Sequence, residues 1–384
     1  MGDAYSLRDF GAMIGDGPRF SAYSEAIAKA VRPGDVVLEI GCGTAVFSLL
    51  ACRAGARRVF AVDTADIVDF ARKLAADNGL ADSIEFLQTD SRTLELPERA
   101  NVILSDIRGA LPFHGHAITA INDARTRLLA PAGTLIPQRD TLKAALLDAA
   151  EFYSRIVNPW QKSAADNLDL SNSLPLLLND SYGSQFKPEQ LLSDPQTFCV
   201  LDYAAGAADR ASAELTFTAV RAATAHGICL WFETRLFADI GYSTGPGAVD
   251  SVYSQIFLPW LSPITLQQGE HVRVQLRADL IGSNYVWQWN TSVAASTNRD
   301  TIQYRQSTFH GSHLSPRFLR SRSMDFTPEL SPEGQADLFL LQSMTGATTL
   351  REIAASAARH FPRVFASVEA AFDRAATLAE RLAR

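Results

Sequence analysis

Residues Val36 to Ala45, Val-Val-Leu-Glu-Ile-Gly-Cys-Gly-Thr-Ala, constrain this chain more than any other stretch. The apolar and β-branched positions around Glu39 read as a buried strand. Gly41-Cys42-Gly43 then breaks the strand into a turn, and Val46 to Ala54 reads as a helix. Glycine opens backbone conformations closed to other residues and lets a ligand approach the main chain, while the helix N-terminus presents unpaired N–H groups. Such a loop cradles a nucleotide-like ligand. The spacing lacks the third glycine of the dinucleotide fingerprint, because Ala45 and Val46 stand there instead.

The elements that follow narrow the choice. A second strand, Arg58 to Val62, ends in Asp63, roughly 20 residues past the loop, where an acidic side chain can hold the two hydroxyls of a ribose. Helix Ala65 to Asn78 comes next. A third strand, Ile84 to Leu87, ends near Thr89-Asp90-Ser91, and a fourth, Asn101 to Leu104, ends at Ser105-Asp106. In an open parallel sheet these strand ends line the ligand crevice. Glu-x-Gly-x-Gly at strand one, with acids after strands two and three, resembles the Rossmann-type S-adenosylmethionine (SAM) methyltransferases. The resemblance implies an α/β fold, SAM as cofactor and S-adenosylhomocysteine as product. Its cofactor contacts would come from Glu39, Gly41, Cys42, Gly43, Asp63, Thr64, Asp90, Ser91 and Ser105. Cys42 reads as a small packing residue rather than a nucleophile.

Composition agrees with a soluble enzyme. A chain of 384 residues with 47% hydrophobic content is long enough for two or three domains with ample cores. No apolar run approaches the ~20 residues of a membrane span. Met1-Gly2-Asp3-Ala4-Tyr5 lacks the basic region and apolar stretch of a signal peptide, so a cytoplasmic protein with no membrane partner is expected. Cys42, Cys52, Cys199 and Cys229 show no metal-ligand spacing, so reduced thiols and no bound metal are expected. The net charge of −7 gives no electrostatic footprint for nucleic acid.

The N-terminal stretch sharpens the resemblance. Asp9-Phe10-Gly11-x-Met13 is followed by Asp16, Arg19 and Tyr23, and then a helix, Ser21 to Ala30, leads into strand one. Met-x-x-Asp-x-x-Arg-x-x-x-Tyr ahead of the glycine loop looks like the N-terminal helical segment of the protein arginine methyltransferases. By that resemblance Met13 packs on the cofactor, and Arg19 pairs with its amino-acid carboxylate, a task suited to a forked guanidinium.

The loop after strand four departs from that family. There the family carries two glutamates that grip a substrate guanidinium; alignment on Ser105 and Gly109 puts Asp106 at the first and Gly115 at the second. A guanidinium, with its pKa above 12, needs compensating charge and oriented acceptors, and one shortened acid supplies about half of that. The family's Thr-His-Trp loop corresponds to Ser251-Val252-Tyr253, where the histidine is missing. What the loop offers instead is His114 and His116. An imidazole changes charge near neutral pH, so one of them could act as general base for an attacking nucleophile. The candidate catalytic residues are therefore Asp106, His114, His116 and Tyr253.

Ile118 to Leu129 reads as an amphipathic helix, and Pro131 to Pro137 as a turn into the next strand, with the cofactor domain ending near Gln138. Thr141 to Val157 alternates and then turns helical. Trp160 to Ser184 looks like the family's inserted arm, which implies a homodimer. Strands are expected at Ala213 to Val220, Gly227 to Ala238, Gln255 to Leu258, His271 to Leu280 and Tyr285 to Val293; the resemblance implies that they form an antiparallel β-barrel. Trp231, Trp260, Trp287 and Trp289 read as core or interface residues. Past Ser323 the chain leaves the family. Ser331-Pro332 and Thr348-Thr349 cap two helices, and Pro362 opens a longer one with the face Val364, Phe365, Val368, Ala371, Phe372, Ala375 and Leu378. This module resembles the winged-helix-like domains that bind leader peptides. Four segments are thus expected: cofactor-covering helices over 1–30, a Rossmann domain over 31–138, a barrel over 139–323 and a helical module over 324–384.

Function follows with three alternatives. One is a SAM-dependent methyltransferase acting on an oxygen or nitrogen of a small molecule, such as a natural-product intermediate, or of a peptide. A second keeps arginine or another protein side chain as acceptor, with Asp106 and a histidine in place of the two glutamates. A third is a SAM-binding protein without turnover that works through its helical module.

Overall fold

A computed structural model describes residues 5–161, 166, 168–248, 251–295, 300–312 and 315–383. The chain divides into two compact units, Met1–His313 and Leu314–Arg384. Among the described residues no helix is long and apolar enough to cross a membrane.

The first unit opens with α1 (Leu7–Gly15) and α2 (Gly17–Ala30). Ser6 and Asp9 form a reciprocal cap on α1, Ser6 N–H donating to Asp9 Oδ2 at 2.8 Å and Asp9 N–H to Ser6 Oγ at 3.3 Å. Asp16 caps α2 through Arg19 N–H at 3.2 Å, and Pro18 lies in the first turn, so α2 begins four residues before the expected Ser21. Tyr23, Ala26, Ile27 and Ala30 recur at helical spacing and turn inward, all buried.

The cofactor half then runs β1 (Val36–Ile40), α3 (Val46–Arg53), β2 (Arg58–Asp63), α4 (Ile67–Asp77), β3 (Ile84–Gln88), β4 (Ala100–Ser105), α5 (Ala117–Arg127) and β5 (Leu129–Ile136). All five strands are parallel, in the order β3-β2-β1-β4-β5. Each residue of β1 is buried, as a central strand covered on both faces requires. The order reverses between β1 and β4, and the loops after these two strands flank the crevice that such a switch point leaves. The passage from Pro131, read from sequence as a turn, lies instead inside β5, which pairs with β4.

Two antiparallel sheets follow, built from β6 (Arg139–Leu147), α6 (Ala150–Val157), α7 (Leu174–Leu177), β7 (Tyr182–Ser184), β8 (Gln196–Asp202), β9 (Arg210–Thr218), β10 (Ala223–Phe237), β11 (Ile240–Ser243), β12 (Gln255–Leu266), β13 (His271–Ile281), β14 (Asn284–Val293), β15 (Ile302–Tyr304) and α8 (Thr308–Gly311). One sheet is ordered β7-β12-β10-β6-β8 with β11 paired to β10, and the other β15-β14-β13-β9. This is the barrel domain expected from the resemblance. Strand β13 alternates, burying Val272, Val274, Leu276 and Ala278 between exposed neighbours. Trp231, Trp260, Trp287 and Trp289 are all buried core residues, and Trp289 Nε1 donates to the Pro259 carbonyl at 3.0 Å. Part of the expected arm, residues 162–165 and 167, lies outside the described residues; in the remainder Trp160, Leu168 and Leu176 are exposed.

The second unit holds α9 (Pro316–Ser321), α10 (Pro332–Ser343), α11 (Leu350–His360) and α12 (Val368–Leu382). Ser331 and Thr349 cap α10 and α11 as the sequence suggests. Pro362 does not open the last helix. Ser367 does, accepting from Ala370 N–H at 3.2 Å. The inward face of α12 is Ala371, Ala375 and Leu378, at positions i, i+4 and i+7, whereas Phe372 lies off that face and Val368, the first residue of the helix, is exposed at its end. The described residues of this unit form helices and no strand, so the wing of a winged helix is not seen.

Candidate active site

The loop after β1 is shaped by positive backbone angles, φ 73° at Gly41 and 51° at Gly43. A side chain at Gly41 would run into Ile107, and one at Gly43 would lie 2.6 Å from the Phe10 ring of α1. Only glycine fits between the two covering elements. Asp63 at the end of β2 fastens this loop, its Oδ2 accepting from Gly43 N–H at 2.9 Å and its Oδ1 from Ala65 N–H at 3.0 Å. A carboxylate offers about four lone-pair sites, so Asp63 can still accept two hydroxyls.

A cleft of about 1000 Å³ opens at these strand ends. It is lined by Met13, Arg19, Glu39, Gly41, Cys42, Gly43, Asp63, Thr64, Asp90 and Ser91, and also by Asp106, His114, His116 and Tyr253; of these, His116 lies near enough to Asp90 to act on its charge. Ser105 is the exception. It does not line the cleft; it is buried, 5% exposed, and its carbonyl accepts from Tyr23 Oη at 3.0 Å.

Glu39 is 4% exposed and accepts from Ser48 N–H at 2.8 Å and from the Ser48 hydroxyl. Burial pushes its carboxyl up to about 8, although the Ser48 bonds act in the other direction. Burial also pushes the Cys42 thiol far above its ordinary value, which removes it as a nucleophile. Asp90 is held by Arg92, which the sequence reading passed over: Arg92 Nε donates to Oδ1 at 3.0 Å and its guanidinium lowers the Asp90 carboxyl to about 2.

Part of the cleft is organised around Asp106. Arg19 Nε donates to Oδ2 at 2.6 Å, while Tyr253 Oη donates to Oδ1 at 2.8 Å and Arg108 Nη2 at 2.9 Å. Burial alone would raise this carboxyl, but Arg108 and Arg19 outweigh it and hold it below its ordinary value. Arg19 in turn donates to the Met13 carbonyl at 2.8 Å and lies over the Phe47 ring at 5.4 Å. Arg108 is buried between the parallel sheet and the barrel. Its Nη1 reaches Asp140 at 2.7 Å and Thr234 at 2.9 Å, and its Nη2 reaches Tyr23 at 2.8 Å and Tyr242 at 2.9 Å.

Two loops and helix α2 bring these groups together. The 105–116 loop carries Asp106, Arg108, His114 and His116. A side chain on Gly109 would lie 2.7 Å from Nδ1 of His114, so glycine there lets the imidazole fold back over the loop. Gly115, at the position of the absent second acid, has φ 45°. The loop before β12 carries Val252 and Tyr253; Val252 N–H donates to Asp16 Oδ2 at 3.0 Å, which ties it to the cap of α2. No group of three or more His, Cys, Asp or Glu suited to a metal ion occurs among the described residues.

Residues 37–133 match a family model described as a methyltransferase domain, and residues 138–284 match one described as the arginine methyltransferase oligomerization subdomain. The chain resembles the protein arginine methyltransferases. A probable protein arginine N-methyltransferase 6 of Arabidopsis thaliana is 29% identical over 230 residues, covering 58% of this chain and 52% of the relative. Protein arginine N-methyltransferase 2 of Dictyostelium discoideum is 33% identical over 165 residues, covering 42% of this chain and 32% of the relative. The chain thus spans about half, or less, of the length of these relatives. Among solved structures, the Trypanosoma brucei PRMT1 enzyme–prozyme heterotetrameric complex with AdoHcy superposes with a TM-score of 0.72 at 19% identity, covering 79% of this chain and 98% of that one. At that identity the likeness establishes the fold: a Rossmann-type methyltransferase domain followed by an antiparallel barrel.

Proposed function

We propose that the chain is a SAM-dependent methyltransferase whose acceptor is a nitrogen in a protein or peptide side chain. The observation that carries this reading is the single cleft joining the glycine loop and Asp63 to Asp106 and Tyr253. Support for a protein acceptor comes from the relatives, which are named for protein arginine methylation, so arginine is the first acceptor to assay. These names favour a protein acceptor over the small molecule that the altered loops suggested.

The residues fit the cofactor. Gly41 and Gly43 leave a main-chain cradle, Asp63 keeps lone pairs for ribose hydroxyls, and Arg19, with Nε on Asp106 and Nη1 on the Met13 carbonyl, keeps further N–H groups that suit a carboxylate. When bound, SAM supplies an electrophilic methyl, the carbon–sulfur pair staying on sulfur as the acceptor's lone pair forms the new bond. Positioning is then the main task of the protein. Asp106 and Tyr253 orient the acceptor, and an imidazole of His114 or His116 takes the proton that the acceptor loses. The match to an oligomerization subdomain and the exposed Trp160, Leu168 and Leu176 support assembly as a homodimer through the 160–184 segment.

A second reading, an oxygen or nitrogen of a small molecule, is favoured by Gly115 standing where a second acid would grip a guanidinium. Transfer of labelled methyl from SAM into a cell extract, separated by size, tells the two apart. Label in protein that survives mild base supports the first reading; label confined to small metabolites supports the second.

A further inference from the structure

We propose that Arg108 is a specificity-determining positioning residue: a guanidinium belonging to the chain itself that cancels the charge of Asp106 and suits the acceptor end of the cleft to an uncharged nucleophile. The inference rests on the protein-acceptor reading above and narrows it to uncharged nitrogen side chains such as carboxamides and neutral imidazoles.

Four charged groups meet here. Arg19 and Arg108 face Asp106 and Asp140, and their formal charges sum to zero. Both oxygens of Asp106 are engaged: Oδ2 by Arg19 Nε at 2.6 Å, and Oδ1 by Arg108 Nη2 at 2.9 Å and the Tyr253 hydroxyl at 2.8 Å. Asp140, the other acid, is spent on Arg108 Nη1 at 2.7 Å and on the Tyr203 hydroxyl at 2.7 Å, and it is fully buried. An arriving guanidinium would bring a third cation to a cluster whose two carboxylates are already taken by Arg19 and Arg108. A buried cation without an unspent counter-charge is strongly disfavoured.

Arg108 is in no position to step aside. Its side chain is 1% exposed, its guanidinium lies 5.0 Å from the Phe232 ring, and Tyr23, Tyr242 and Thr234 accept its remaining N–H groups. A substrate guanidinium could not take over these bonds without opening the junction between sheet and barrel. An uncharged nucleophile needs no counter-charge and finds the Tyr253 and Asp106 pair as an oriented polar surface.

The test uses the full chain saturated with S-adenosylhomocysteine and two acetylated, amidated pentapeptides, one with a central arginine between glycines and one with citrulline, which has the same shape without the charge. Calorimetry on the wild type should give the citrulline peptide at least about tenfold the affinity of the arginine peptide, and Arg108→Lys should keep that preference. Arg108→Met leaves Asp106 and Asp140 facing Arg19 alone, one net negative charge, and should shift the ratio toward the arginine peptide by about tenfold or more. A wild type that binds the arginine peptide as well as the citrulline peptide, or better, overturns the inference. So does an unchanged ratio in Arg108→Met while S-adenosylhomocysteine still binds. Failure of the wild type and of Arg108→Met to bind either peptide overturns the protein-acceptor reading itself.

Discussion

Glu39→Gln isolates the cost of burying a carboxyl under the glycine loop. In the folded chain burial raises this carboxyl from an ordinary 4.5 to about 8. The folded protein therefore keeps the proton through a range in which the unfolded chain has released it. With more protons bound in the folded state, stability falls as pH rises from about 4.5 to about 8 and levels off above that. At roughly 1.4 kcal/mol per unit, the loss across this window is on the order of 5 kcal/mol. Glutamine places a neutral oxygen where Ser48 N–H now donates at 2.8 Å and has no proton to lose. The variant should match the wild type near pH 5 and exceed it near pH 8.5, by roughly 8 °C in melting temperature, since a unit spanning Met1–His313 shifts by about 1.5 °C per kilocalorie. Differential scanning calorimetry at the two pH values measures this directly. An equal difference between variant and wild type at both pH values would refute the burial argument, and a variant less stable only at pH 8.5 would reverse its sign.

Asp106→Asn should reduce methyl transfer by about a hundredfold or more and leave S-adenosylhomocysteine affinity within a few-fold, since it deprives the acceptor end of its carboxylate; steady-state kinetics and calorimetry on the same preparation separate the two. It should also lower stability, because Arg19 and Arg108 lose a shared counter-charge, by about 3–5 kcal/mol in denaturant titration near neutral pH. That difference should shrink as the pH falls through the depressed Asp106 value, where the wild type loses the same charge. Tyr253→Phe removes the 2.8 Å bond to Asp106 while keeping the ring packed against Phe232 at 5.3 Å, so kcat should fall by about tenfold with little change in melting temperature; an unaltered kcat would take Tyr253 off the acceptor path.

The parallel sheet and its crevice were legible because their signals are local. A glycine pair after a buried strand, and acids closing the next strands, fix the turn and the crevice within a few residues of each. Arg108 was legible only as a letter between Asp106 and Gly109. What gives it meaning is Asp140, Thr234 and Tyr242, which lie 32, 126 and 134 residues further along the chain. No periodicity or spacing announces a meeting of that range. Ser105 is the reverse case: its place at a strand end suggests a ligand contact, whereas in the fold it is buried, does not line the cleft, and offers its carbonyl to Tyr23. The last helix was misplaced because Pro362 is a helix opener by type, whereas Ser367 holds the hydrogen bond that starts α12.

The most direct measurement on the whole account is titration of the full chain with S-adenosylhomocysteine, in the wild type and in Asp63→Ala. The account predicts saturable binding with one site per chain, weakened at least about tenfold by the substitution through loss of the ribose bonds and of the anchor on Gly43 N–H. No binding to the wild type, or equal affinity in both proteins, would contradict it.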